Sequence, residues 1–203
     1  MAKLFDMNNP VWRFMGKIAD MFLLTLAWFV CSVPIITIGA STTALYYVSL
    51  KMEEGKEGYL FQTFWETFKK YIKQSTGIWL IVLAVGAFLC GDFYICYQTD
   101  FPAAKMMSWI FLVFGVVYLL VVTVLFPLAA RLDTGIGKMF FMAFMISLKN
   151  FAWVLFMLVS TLCIVAVGIY VMWPLLLISV GAIAWIHSKI LVKIIFPKYN
   201  WTE

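Results

Sequence analysis

The residues of this chain that could do chemistry are few and scattered. Asp20, Asp92, His187 and Lys189 are ionisable groups set within mostly apolar stretches. Such a group is costly in hydrocarbon and is therefore a functional candidate. Two carboxylates can share a proton, and a histidine beside a lysine can relay one. The spacing favours neither. Asp20 and Asp92 meet only if the segments that carry them pack together. Lys189 can snorkel along its own stem, and His187 needs only one hydrogen-bond partner.

The four cysteines, Cys31, Cys90, Cys96 and Cys163, lie inside apolar segments with no C-x-x-C pair and no cluster of His or Asp. They read as small buried hydrophobes, with no metal or redox role. No G-x-x-x-x-G-K-[ST], H-E-x-x-H or G-x-S-x-G motif is present. The expectation is a chain with no catalytic residue, metal or cofactor and no nucleic-acid partner, hence not an enzyme.

What positions these residues is set by composition. Of 203 residues, 65% are apolar and 12% charged, against roughly 45–50% and about 25% in soluble domains. So few charges cannot cover a soluble surface, and the apolar residues come in unbroken runs without a polar stripe. The solvent must be lipid, where only helices or closed barrels satisfy their own backbone. The runs do not alternate, so the expected class is all-α, a polytopic bundle forming a single domain over 1–203.

A span needs about 20 apolar residues. Five segments qualify: 18–38, 78–97, 106–130, 151–172 and 174–190. Lys3, Arg13 and Lys17 ahead of the first resemble a signal peptide, but no small-x-small cleavage site stands out, so the first run reads as a retained span.

Five spans put the two ends of the chain on opposite faces. One face then carries eleven basic residues and the other carries Lys3, Arg13, Lys17 and Lys105. Basic loops stay cytoplasmic, which predicts an N-terminus outside and a C-terminus in the cytoplasm. Three of the four minority charges flank the first span, however, and the run is broken near Pro34 and Gly39. A re-entrant first run would move the N-terminus inside.

Between the first two spans, Ser41, Thr42 and Thr43 offer N-cap oxygens for a short helix over 44–52, and 53–58 reads as a charged turn. An amphipathic helix over 59–74 follows. Phe61, Phe64, Trp65, Phe68 and Tyr71 share one side, with Lys69 and Lys73 at its edge. It suits either the inner headgroup layer or a docking surface for a partner. Residues 64–69 before span two echo 144–149 before span four, which would make spans one-two and three-four parallel copies. Asp92, Tyr94 and Trp109 mark the outer face, as an aromatic belt or as a polar patch for a sugar or binding protein. In 126–133, Pro127 loosens the helix end, Arg131 meets headgroups, and Asp133 caps the next helix or pairs with Arg131.

Several of these stretches carry a resemblance. The segment 34–47, with Pro34, Gly39, Ser41 and Tyr46, resembles the signature of the YesL-like membrane proteins of Gram-positive bacteria. Residues 126–133, with Pro127, Arg131 and Asp133, are similar to that family's second signature, and Phe64, Phe68, Lys69 and Lys73 fit its basic aromatic stretch. The sequence departs from the pattern at Leu132 and at Thr134-Gly135, which leaves the start of the following helix open. Genes of the family typically lie beside those of carbohydrate importers of the ABC class. The resemblance thus implies membrane lipid and the permease subunits of a sugar ABC importer as partners, with an accessory or assembly role. An autonomous transporter or channel is the alternative, for which so few intramembrane polar groups make a poor path.

Overall fold

The computed structural model describes residues 10–56, 58–99, 102–170 and 176–199, and all the elements it describes are helical. They are α1 (Pro10–Cys31), α2 (Ile38–Glu53), α3 (Leu60–Gln98), α4 (Pro102–Arg131), α5 (Ile136–Lys149), α6 (Phe151–Tyr170) and α7 (Leu176–Ile190). A 3-10 turn, Ile35–Thr37, precedes α2. A π turn and a 3-10 turn, Leu191–Ile195 and Phe196–Tyr199, extend α7.

Four helical stretches among the described residues are long and apolar enough to cross a membrane: Leu60–Gln98, Met106–Arg131, Phe151–Tyr170 and Ile178–Tyr199. The last of the expected spans thus continues past 190, and the chain is a multi-pass membrane protein.

The first expected span, 18–38, is not one helix. Val33 precedes a proline and is biased away from helical backbone, so α1 stops at Cys31 and the chain folds back as α2. The bend 32–37 exposes Val33, Ile35 and Ile36. An apolar bend facing lipid must bond its own carbonyls, and it does. The Thr37 hydroxyl lies 2.7 Å from the Cys31 carbonyl and 2.8 Å from that of Pro34, and the Trp79 indole donates to Ile35 O at 2.8 Å. Because the bend is tied at Trp79, the part of α3 from Leu80 to Gln98 extends beyond it. The α1–α2 hairpin enters the bundle and returns.

α2, expected as a short loop helix, is the centre of the molecule. Eleven of its sixteen residues are buried, and it packs on α1, α3, α4 and α7. Small residues permit this. A Cβ on Gly39 would sit 2.6 Å from the Ser75 carbonyl oxygen and 2.6 Å from Trp79 Cβ, so glycine lets the two backbones approach. Ser41, Thr42 and Thr43 are not caps. They lie inside α2 and bond back to the carbonyls of Thr37, Ile38 and Gly39, which satisfies their hydroxyls within the helix.

The direction of each helix follows from its neighbours. Tyr118 bonds Val82 while Gln74 bonds the Thr134 carbonyl, so α3 and α4 are antiparallel. His187 meets Thr161 and Lys198 meets Asn150, so α6 and α7 are antiparallel. Gly181 meets Thr25 and Lys17 reaches Trp185, so α1 also runs against α7. Phe196, past α7, lies under Arg131 at the end of α4. The start of α1 and the end of α7 therefore point to the same end of the bundle. This is the arrangement of a first run that turns back, the alternative to five full spans, and the hairpin is the reason.

The 64–69 echo does not correspond to a repeated architecture. Lys69 lies inside continuous α3, whereas Lys149 ends α5 and Asn150 separates it from α6. The prolines ahead of the two stretches also sit differently. Pro34 lies at the hairpin bend, while Pro127 is inside α4.

Candidate functional site

The end of the bundle to which α1's start and α7's end both point is basic, and it holds a cavity. Where α2 ends, α3 passes and α4 ends, a cavity of about 450 Å³ is lined by residues including Tyr47, Lys51, Glu54, Lys56, Lys70, Tyr71, Arg131 and Asp133. Gly55, with φ of 70°, lets the chain turn at its rim.

Arg131 is fixed from two sides. Its guanidinium pairs with Glu54 and lies 5.4 Å from the centre of the Phe196 ring. Neither partner was legible as such. Asp133, expected to cap α5 or pair with Arg131, does neither: α5 begins after Gly135 with no side-chain cap, and Asp133 faces Lys70 at 3.6 Å. The second oxygen of Glu54 faces Lys56 at 3.8 Å.

The bundle also holds a buried polar cluster that sequence reasoning missed. His187, 2% exposed, sits between α2, α6 and α7. Its Nε2 is 3.0 Å from the Met157 carbonyl and 3.1 Å from Thr161 Oγ1, and its Nδ1 is 2.8 Å from the Tyr46 hydroxyl. A carbonyl can only accept, so the network places the ring proton on Nε2 and leaves Nδ1 to accept from Tyr46. Ser41, Tyr46 and Gly39, all from the 34–47 motif, are core residues of α2. The signal available in sequence was that the sole histidine needed a partner. Which residue supplied it depended on how α2 packs on α7.

The docking helix expected over 59–74 is the first part of α3, continuous with the span. Phe64 and Phe68 are corrections to the docking set. They belong to the buried stripe Phe64, Thr67, Phe68, Tyr71, Ser75, Ile78 and Val82 that runs along α3 into the bundle. Phe64 is 0% exposed, whereas Phe61 is 71% and Trp65 42% exposed. Lys69 and Lys73 point outward, and Lys69 Nζ lies 5.2 Å from the Trp65 ring centre.

At the far end, Tyr94 and Trp109 are exposed and Asp92 is half-buried. Tyr94 accepts a bond from Gln98, and Phe93 stacks on Tyr97, the arrangement of an aromatic belt. Asp20 lies on α1, whereas Asp92 lies on α3 and His187 on α7. The cysteines are not buried as expected: Cys90 and Cys163 are exposed and Cys31 and Cys96 half-buried. Among the described residues no group of His, Cys, Asp and Glu is placed to hold a metal.

Comparison with known proteins agrees with the resemblance. Residues 21–93, which cover the second half of α1, the hairpin bend, α2 and most of α3, match the family described as protein of unknown function, DUF624. Over 197 residues the chain is 23% identical to the uncharacterised protein YesL of Bacillus subtilis strain 168, spanning 95% of this chain and 93% of that one. No solved structure gives a match.

Proposed function

Taking the chain as a YesL-like multi-pass membrane protein, we propose that it is a non-enzymatic accessory subunit or assembly factor that docks on the permease helices of a carbohydrate ABC importer. The observation that carries the docking is the first part of α3. At about 1.5 Å per residue its 39 residues reach roughly 58 Å, about twice the hydrocarbon thickness. The surplus carries exposed Tyr59, Phe61 and Trp65 beside Lys69 and Lys73. Large aromatic side chains next to cations, outside the hydrocarbon, are what interface anchors are made of. The sugar importer as partner rests on the family resemblance.

The basic end is cytoplasmic in this reading. With α1's start on that end, its described loops and helix ends carry Lys51, Lys56, Lys69, Lys70, Lys73, Arg131, Lys138 and Lys198, while Lys105 opens α4 at the other. That asymmetry is the positive-inside pattern.

The test is co-purification. A tagged full-length chain in mild detergent brings down permease subunits, and the Phe61→Ala, Trp65→Ala variant does not. Solute flux through liposomes containing this protein alone would instead support an autonomous transporter.

A further inference from the structure

Among the described residues, the lining of the cavity at the basic end carries more positive than negative charge. Four cations, Lys51, Lys56, Lys70 and Arg131, stand there with two carboxylates, Glu54 and Asp133. Glu54 is committed to Arg131 and faces Lys56, and Asp133 faces Lys70. Lys51 has no carboxylate within 4.0 Å among the described residues, and its ammonium lies 4.8 Å from the Tyr47 ring centre.

The depth of this cavity is set by α4. Arg131 ends the apolar stretch Met106–Arg131, which is long enough to cross the hydrocarbon, so its guanidinium lies at the headgroup layer. Leu50, Ala130 and Leu132 add an apolar part to the wall. Cations converging in a partly apolar concavity at that depth repel one another, and water screens them less than on an open surface. An anion placed among them relieves that repulsion. At about 450 Å³ the space is within the range of roughly 300–1,000 Å³ typical of small-ligand sites.

We infer that this cavity binds the phosphate of an anionic lipid headgroup from the leaflet at the basic end, with Lys51 and Lys70 as its principal cations. Arg131 forms the wall. It is held by Glu54 and Phe196, so it contributes a fixed positive charge without reorganising. The occupant is a lipid because the cavity lies at headgroup depth beside lipid-facing helices. Inorganic phosphate shares the chemistry and is the alternative source.

The experiment uses the full-length protein in mild detergent, with bound lipid counted by native mass spectrometry during titration with phosphatidylglycerol or phosphatidylcholine. Wild type retains phosphatidylglycerol about thirtyfold better, as expected for two cations near a lipid phosphate. The double variant Lys51→Gln, Lys70→Gln loses that preference. Lys138→Gln, an exposed lysine of α5 outside the cavity, keeps it and controls for general surface charge. A double variant that folds, as judged by its unchanged elution and melting, yet keeps the preference overturns the inference. So does retention that Lys138→Gln reduces equally. If millimolar inorganic phosphate displaces phosphatidylglycerol and alone raises the melting temperature, the lipid assignment is overturned in favour of a soluble anion.

Discussion

The phenol of Tyr46 and the imidazole of His187, 141 positions apart in the chain, lie nearly parallel with ring centres 6.0 Å apart and share a 2.8 Å hydrogen bond. This contact joins α2 to α7, and through Thr161 and Met157 to α6. It makes the hairpin part of the bundle.

Removing either side should therefore loosen that junction unequally. Tyr46→Phe loses one hydrogen bond and is expected to cost about 1 kcal/mol. His187→Ala leaves a cavity and an orphaned phenol, and is expected to cost about 2–4 kcal/mol. Thermal unfolding in detergent measures both. Equal effects would show that the hydrogen bond matters and the packing does not.

Close backbone approach gives a second expectation. A Cβ on Gly181 would overlap the Met21 carbonyl and Thr25 Oγ1, and one on Gly39 would overlap Ser75 and Trp79. Gly39→Ala and Gly181→Ala should each destabilise by roughly 1–3 kcal/mol. Gly115, inside α4 with nothing within 4 Å of an added Cβ, should gain about 0.5–1 kcal/mol as alanine. Melting temperatures of the three variants check the sign.

The two sides of α3 separate stability from docking. Phe64→Ala should cost about 3–5 kcal/mol, since the ring is fully buried. Phe61→Ala should stay within about 0.5 kcal/mol of wild type while weakening recovery of the partner. A Phe61 variant that unfolds would place that ring in the core.

Helix directions predict topology. In a cysteine-free background, Thr99→Cys should react with an impermeant maleimide on intact cells. Lys56→Cys and Lys198→Cys should react only after permeabilisation, and a tag ahead of residue 1 should be protected from external protease. An accessible tag would restore a chain with its ends on opposite faces.

Much of this was legible. The runs after 78 gave helices at the expected places because hydrocarbon leaves a long apolar segment little alternative. Pro34 announced a break in the first run, and Gly39 lies close behind it. The aromatic periodicity over 60–73 was real, but it was assigned to the wrong side. Phe64 and Phe68 look the same as Phe61 and Trp65 in sequence, and only the neighbour they pack on separates buried from exposed.

The sequence by itself determined that the chain is a multi-pass helical membrane protein with a break in its first run, because composition, segment length and backbone satisfaction are local constraints. Tertiary structure alone decided that the run returns as a buried central helix, that the start of α1 and the end of α7 point to the basic end, and that Tyr46 meets His187 while Arg131 meets Glu54. Those outcomes depend on which helix faces approach at small residues such as Gly39 and Gly181. Apolar faces are nearly interchangeable until packed, so their pairing is a property of the whole bundle.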